Sequence, residues 1–303
     1  RSTPNFSADI VVERASGDLT VTEELGTRAL GLTDLRLGLA VDNGVWNFTQ
    51  GLAGKTVGVA AGAVVVRTSP QALWPPADAP IDGVLELQVA DLGTWGTWVP
   101  PGWRVAGALR ASAGINGRFG APEYTGVVNG SGLAVRNFLQ GVNVSDGDVS
   151  IRLEGTSARI ERFSAKGGSG SVKLEGSASL GDAPKAVLQL TADHFQLLGR
   201  VDRRIVASGT GRLQLDAKTL ALDGQFGVDE GLIDFSRSDA PTLSNDVEVV
   251  REKGVMAPAE AASAAASPPP SAAMPARVVA LDLRVALGDK LRLRGRGIDT
   301  GLA

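Results

Sequence analysis

The segment Val278–Gly297 alternates apolar and polar residues, and this alternation constrains the fold more than any other feature of the chain. A period of two is that of a β-strand, because successive side chains point to opposite faces of the pleat. A helix would spread the same leucines and arginines around its surface. We predict a hairpin with the loop Gly288–Lys290, since a three-residue loop places Leu287 opposite Leu291 and leaves one face apolar and the other polar.

The same alternation recurs along most of the chain. Glycine, often beside aspartate or asparagine, separates the alternating stretches at short intervals, as in Asp42-Asn43-Gly44 and Asp146-Gly147, and such residues tolerate the positive φ of tight turns. Short alternating strands with turns between them predict an all-β meander. The alternating stretches include Leu35–Leu39, Leu85–Val89, Ile151–Glu154, Val172–Glu175, Leu188–Leu190 and Arg212–Asp216.

Composition excludes several classes of protein and site. The 303 residues carry a net charge of −3, which gives no general attraction to nucleic acid, and no nucleic-acid partner is expected. Without cysteine and with a single histidine, His194, the chain has no thiolate or multi-histidine metal site, and we expect neither a cofactor nor an enzymatic activity. The chain begins with arginine and has no run of about 20 apolar residues. We therefore expect an excised segment without a membrane anchor.

Individual polar features have ordinary structural interpretations. His194 has no aligned nucleophile or carboxylate partner in the sequence, so a solvated turn histidine is expected. The run Gly167–Gly170 lacks the lysine of a phosphate-binding loop and is interpreted as a β-turn. Arg292, Arg294 and Arg296 are interpreted as a solvated strand face, with lipid headgroups or an anionic partner as the alternative.

Two segments interrupt the alternation. Asp91–Trp103 has clustered tryptophans and is predicted to be a short helical turn or a loop that packs on the end of the sheet. Residues 256–276 are rich in alanine and proline without periodicity, and are predicted to be a disordered insert. Because alternation resumes at Val278, we expect residues 1–255 and 277–303 to form one β-structure around this insert.

An apolar face of this length must be covered. A closed barrel, a two-sheet sandwich or a β-solenoid would cover it with the chain itself, whereas an open trough would leave an apolar channel suited to an acyl chain. The residues alone do not choose between these forms. The residues predicted to line the apolar face are Leu35, Leu37, Leu85, Leu87, Val89, Ile151, Leu153, Val172, Leu174, Leu188, Leu190, Leu213, Leu215, Phe226, Leu281, Leu283, Val285, Leu287, Leu291 and Leu293.

A series of motifs resembles the C-terminal region of the TamB family, which belongs to the AsmA-like group of bridge-type lipid transporters. The resemblance is carried by Gly231–Val250 together with Leu281–Ala303, and upstream by Leu109–Gly120, Gly147–Gly176 and Ala192–Gly211. It extends over about Ile81–Ala303, while the first 80 residues share only the alternation.

The resemblance implies an antiparallel meander curled into a U-shaped, taco-like groove with an aliphatic interior. It also implies a periplasmic location, an inner-membrane helix preceding this segment, phospholipid acyl chains as cargo and an outer-membrane barrel of the TamA type as partner. Contact of this segment with that barrel is in doubt, because the family continues through further strands. A scaffold that pairs with strands of outer-membrane proteins, without conducting lipid, and a purely structural β-solenoid are the alternatives.

Overall fold

The computed structural model describes residues 5–23, 26–179, 184–235, 278–295 and 297–302. These residues form a single long, open, curved sheet of 16 strands and a separate two-stranded hairpin, β2–β3, with no α-helix in the part described. The strands are β1 Ala8–Glu13, β2 Thr20–Glu23, β3 Gly26–Ala29, β4 Leu32–Asp42, β5 Val45–Gly54, β6 Gly58–Arg67, β7 Ile81–Val89, β8 Arg104–Arg118, β9 Ala121–Asn137, β10 Val142–Gly155, β11 Ser157–Gly167, β12 Gly170–Ser179, β13 Ala186–Gly199, β14 Arg203–Leu215, β15 Thr219–Asp234, β16 Val278–Ala286, β17 Leu291–Gly295 and β18 Ile298–Leu302.

The sheet is a meander from β4 to β15, in which each strand pairs antiparallel with the next along the chain. Strand β1 pairs with β4 at one end, and β16–β18 complete the other end. Among the described strands, β1 makes no hydrogen-bonded ladder with β16 or β18, so the sheet does not close into a barrel. The predicted all-β meander curled into an open groove is confirmed. The predicted insert at 256–276 lies outside the described residues.

The predicted hairpin at Val278–Gly297 is wrong. Strands β16 and β17 run in the same direction, and both pair parallel to β15, from Thr219↔Val278 to Gly227↔Ala286 and again from Gly231↔Leu291. The pairing offset changes by one residue between the two stretches, so the segment between them is a bulge in one long edge strand. Strand β15 has 16 residues whose backbone groups need partners, and this arrangement satisfies nearly its whole edge.

Gly288 explains how the chain passes this bulge. Its φ is +66°, and a Cβ built on it would lie 2.4 Å from the Val228 carbonyl oxygen. Only glycine combines that conformation with so close an approach to a neighbouring backbone. The glycine that was predicted to form a hairpin loop therefore lets the edge strand continue along β15.

The strand ends form two rims. The first rim holds the turns at residues 43–44, 68–80, 119–120 and 216–218, and the second holds those at 55–57, 90–103, 138–141, 168–169 and 200–202. At the first rim, Trp46 is 2 % exposed and packs with Val41, Val66 and Ala79. At the second rim, Leu30, Leu32 and Val57 form a smaller cluster. Of the two alternatives predicted for Asp91–Trp103, the structure has the short helical turn, a 3₁₀ segment Leu92–Trp98 that is kinked at Trp95, and Trp95 packs on this second cluster.

Candidate functional site

One face of the sheet is apolar from its first strands to its last. Residues paired in register point to the same face of a sheet, so the pairings can be followed across it strand by strand. The first row crosses thirteen strands without a polar side chain. Its members are Leu35, Leu52, Ala60, Leu87, Ala111, Val128, Ile151, Ile160, Gly176, Leu188, Leu213, Leu222 and Leu281.

A second row lies two residues further along each strand and has one polar member, Gln50. It consists of Val12, Leu37, Gln50, Gly62, Leu85, Ala113, Gly126, Leu153, Ala158, Ala178, Ala186, Leu215, Leu220 and Val279. We call this face the inner face. The opposite, outer face carries charged and polar residues such as Arg36, Glu86, Arg152 and Arg159, which are exposed.

The inner face is accessible to solvent. Most of its side chains in the middle of the sheet are half-buried, and on the edge strand β16 they are more open, with Leu281 66 % and Leu283 43 % exposed. An ordinary closed core would bury leucines of this kind almost completely. Within the described residues no second layer covers this face, so it is the wall of an open groove.

The groove deepens into a cavity of about 480 Å³ at strands β12–β17. Every residue that lines the cavity is apolar. The lining residues are Val172, Leu190, Ala192, Phe195, Leu197, Ile205, Ala207, Phe226, Val228, Ile233, Val285, Leu287 and Leu291. A space without a single hydrogen-bonding side chain selects hydrocarbon and offers nothing that orients a polar ligand.

Phe226 forms part of the floor of this cavity because glycines leave room for its ring. Cβ atoms built on Gly209, Gly224 and Gly211 would lie 2.7, 2.8 and 3.1 Å from ring atoms of Phe226. The ring therefore covers three glycine backbones and fills the space that side chains would occupy there. Because the Phe226 ring lies flat on these glycines, it does not project into the cavity and leaves the floor smooth.

All twenty residues predicted to line the apolar face lie on the inner face or in the cavity. Leu35, Leu87, Ile151, Leu188, Leu213 and Leu281 are in the first row, and Leu37, Leu85, Leu153 and Leu215 are in the second. Val172, Leu190, Phe226, Val285, Leu287 and Leu291 line the cavity. Val89, Leu174, Leu283 and Leu293 pair with Leu109, Leu190, Gly224 and Ile233.

Seven of the thirteen residues that line the cavity were not predicted, and three of them, Phe195, Leu197 and Ile233, lie beyond β-bulges that reverse which residues point inward. In β13 the inner residues are Leu188, Leu190 and Ala192, but beyond the bulge they are Phe195 and Leu197. Residue 194 has φ +46° at this bulge. A signal was present in the sequence, since continued alternation would have placed His194 and Gln196 on the apolar face.

The polar groups around this bulge lie on the exposed side. The Nδ1 atom of His194 is 2.6 Å from Oδ1 of Asp193. The backbone N–H of His194 donates to Oγ of Ser208, and the Ser208 hydroxyl donates to Asp229. The hydrogen bond that the His194 imidazole makes to the Asp193 carboxylate, together with the negative charges of Asp229 and Asp193, raises the pKa of His194. The Ser208 hydroxyl is therefore bonded by the backbone of residue 194, while the imidazole Nδ1 pairs with Asp193. His194 is exposed, as predicted, but lies within a strand.

The other polar predictions have simple outcomes. Gly167–Gly170 is a two-residue β-turn, as predicted, and Gly168 has φ +63°. Arg292 lies on the exposed strand face and forms a bidentate ion pair with Asp299, at 2.6 and 2.7 Å. Arg296 lies outside the described residues. The described residues contain no cluster of metal ligands and no helix long and apolar enough to cross a membrane.

Comparison with known proteins gives one match. Residues 161–303 match the family model of the TamB C-terminal domain. This range includes β12–β18, the cavity and most of β11, while residues 81–160, which share the resemblance in sequence, lie outside it. Searches of curated proteins and of solved structures gave no match. Residues 161–303 are therefore similar to a TamB C-terminal domain, and the strands before them continue the same sheet without a break.

Proposed function

We propose that this segment conducts phospholipid acyl chains along its inner face, as a periplasmic part of a transporter between the inner and outer membranes. One observation carries the proposal: an apolar face that runs across the whole sheet and remains open to solvent. Exposed apolar surface of this extent marks a site for a ligand or a partner. A link with the assembly of outer-membrane proteins, and contact of the longer protein with a TamA-like barrel, belong to the same proposal.

The energetics favour passage along the groove over capture at a single point. Burying an acyl chain gains roughly 0.8 kcal/mol per CH₂. Adjacent strands lie about 4.8 Å apart, so each step across the sheet meets another set of leucine, valine, alanine or glycine side chains. Because the surroundings change little between steps, an acyl chain meets small barriers between neighbouring positions.

Photo-crosslinking from paired positions tests this function. A photoreactive residue at Leu190 or Leu283 faces the groove, whereas one at the preceding residue, Gln189 or Asp282, faces outward. We expect mass spectrometry of protein purified from envelopes to find phospholipid adducts at the two inner positions and not at the two outer ones. Adducts of equal yield on both faces, or adducts only to protein at the inner positions, would contradict the proposal.

A second candidate function is a scaffold that pairs with strands of client proteins. The observation in its favour is the edge of β16, which pairs with β15 on one side and has no strand on its other side among the described residues. All nine of its residues are exposed. An open edge of this kind can add a strand from another chain through backbone hydrogen bonds.

Proline scanning of β16 tests the second function. Successive residues direct their backbone groups to opposite edges, so one of the two variants Asp282→Pro and Leu283→Pro removes a donor from the free edge. We expect that variant to lose capture of an outer-membrane barrel strand while its circular dichroism stays unchanged. The scaffold function is excluded if both folded variants capture the strand as the parent protein does.

A further inference from the structure

The second rim carries exposed apolar side chains next to the cavity. Its turns at residues 138–141 and 200–202 are joined, since the backbone N–H of Gly199 donates to the Gly141 carbonyl oxygen at 2.8 Å and the Arg200 guanidinium donates to the Leu139 carbonyl. This contact links β13 to the end of β10, past the shorter β11–β12 hairpin. The two turns therefore form one continuous surface.

Phe138 and Leu139 occupy the tip of a tight turn, where small polar residues are usual. They are 72 % and 75 % exposed. Two hydrogen bonds hold the turn: the buried side chain of Asn137 accepts one from the Gln140 backbone N–H at 3.0 Å, and the Asn137 carbonyl accepts one from the Gly141 backbone N–H at 2.8 Å. The neighbouring turn presents a third apolar residue, Val201, which is 82 % exposed. Burial within the protein therefore does not explain these three side chains.

Arginines flank these tips. Arg104 and Arg136 are directly paired across β8 and β9, both are exposed, and neither forms an ion pair within the described part of the chain. Like charges directly opposite each other on a sheet are destabilising, and an anion beside them would relieve the repulsion. At the neighbouring turn Asp202 is already held by Arg200 and Arg203, at 2.8 and 3.1 Å.

We propose that this rim docks on a bilayer with anionic headgroups, with Phe138, Leu139 and Val201 inserted among the lipids and Arg104 and Arg136 against the phosphates. Apolar side chains combined with cations are the usual means of holding a protein at a lipid interface.

The position of the rim connects it to the groove. Leu197 lines the cavity and lies on the end of β13 that reaches this rim, where it is 49 % exposed. A bilayer at the rim is therefore next to the cavity. Exchange of lipid at this point rests on the proposed function, whereas docking itself does not.

Vesicle flotation tests the docking surface. We expect the double variant Phe138→Ser, Leu139→Ser to bind vesicles of phosphatidylethanolamine and phosphatidylglycerol at least about tenfold more weakly than the parent protein. The double variant Arg104→Glu, Arg136→Glu should bind these anionic vesicles more weakly than the parent protein does. On vesicles of phosphatidylcholine the variant and the parent protein should bind equally. The matched control is Leu73→Ser, which removes an equally exposed leucine, 75 %, from the first rim.

Two results would overturn the docking surface. One is equal flotation of the parent protein and the Phe138→Ser, Leu139→Ser variant. The other is self-association of the parent protein without vesicles that the same variant abolishes, which would make the patch an interface between two copies. Phospholipid adducts at Leu190 are measured separately. If the parent protein does not dock but the adducts form, the docking proposal fails; if it docks but no adducts form, the proposed lipid conduction fails.

Discussion

Replacing Leu283 with aspartate should abolish acyl-chain binding in the groove while the sheet stays folded. Leu283 lies on the inner face opposite Gly224 and is 43 % exposed, so the new carboxylate keeps access to water in the empty groove. Substitutions at such open positions change stability little. A bound acyl chain would instead remove water from the carboxylate, which costs on the order of several kcal/mol for an uncompensated charge. The measurements are copurified phospholipid and the thermal midpoint.

The matched control for this prediction is Ala280→Asp. Ala280 lies on the same edge strand but has the opposite parity, so the same charge is added to the outer face. This variant should retain both the bound phospholipid and the thermal midpoint. If Leu283→Asp unfolded the domain, the inner face would be a closed core. If it retained the parent's phospholipid, the groove at β16 would not be part of the lipid path.

Alternation alone was enough to predict which residues share a face wherever a strand is regular. Leu35 and Leu281 lie at opposite ends of the first row, and the parity of each follows from a few neighbouring residues. The pattern works because the pleat fixes the direction of every second side chain, whatever strand lies beside it. Whether the apolar face is open was not predictable from the residues, because the same alternate side chains point inward in a barrel, a sandwich and a trough. The resemblance to TamB was needed to expect the groove.

The errors came from interactions that a local pattern does not contain. The bulge at His194 exchanges the inner and outer parities within β13, so Phe195 and Leu197 were missed. The hairpin predicted around Gly288 placed the right side chains on the inner face but paired the wrong strands. Strand β15 is long enough to pair in parallel with both β16 and β17. Pairing depends on which backbone edge is free, and a strand distant in sequence supplied that edge.

Replacing Trp46 with alanine should unfold the first strands of the sheet well before the rest. Trp46 is 2 % exposed, its ring lies 5.6 Å from Phe6 and 5.7 Å from Trp74, and its Nε1–H donates to Oγ1 of Thr68 at 3.1 Å. Truncating a buried tryptophan to alanine costs about 3–5 kcal/mol. Each strand of the meander pairs with its neighbours in sequence, so the loss should stay local, as in repeat proteins.

Two spectroscopic probes can separate the parts of the sheet in this experiment. All 5 tryptophans lie between residues 46 and 103, so their fluorescence reports the first strands, whereas circular dichroism reports the whole sheet. In the Trp46→Ala variant the fluorescence transition should move to lower denaturant concentration, and the dichroism should show a second, unshifted transition. Trp46→Phe keeps an aromatic ring but loses the hydrogen bond to Thr68. It should therefore shift the first transition less, because losing the hydrogen bond lowers the free energy of unfolding by about 1 kcal/mol. A single coincident transition that shifts as a whole would show instead that the long sheet unfolds as one unit and that the cluster at Trp46 stabilises the distant cavity as well.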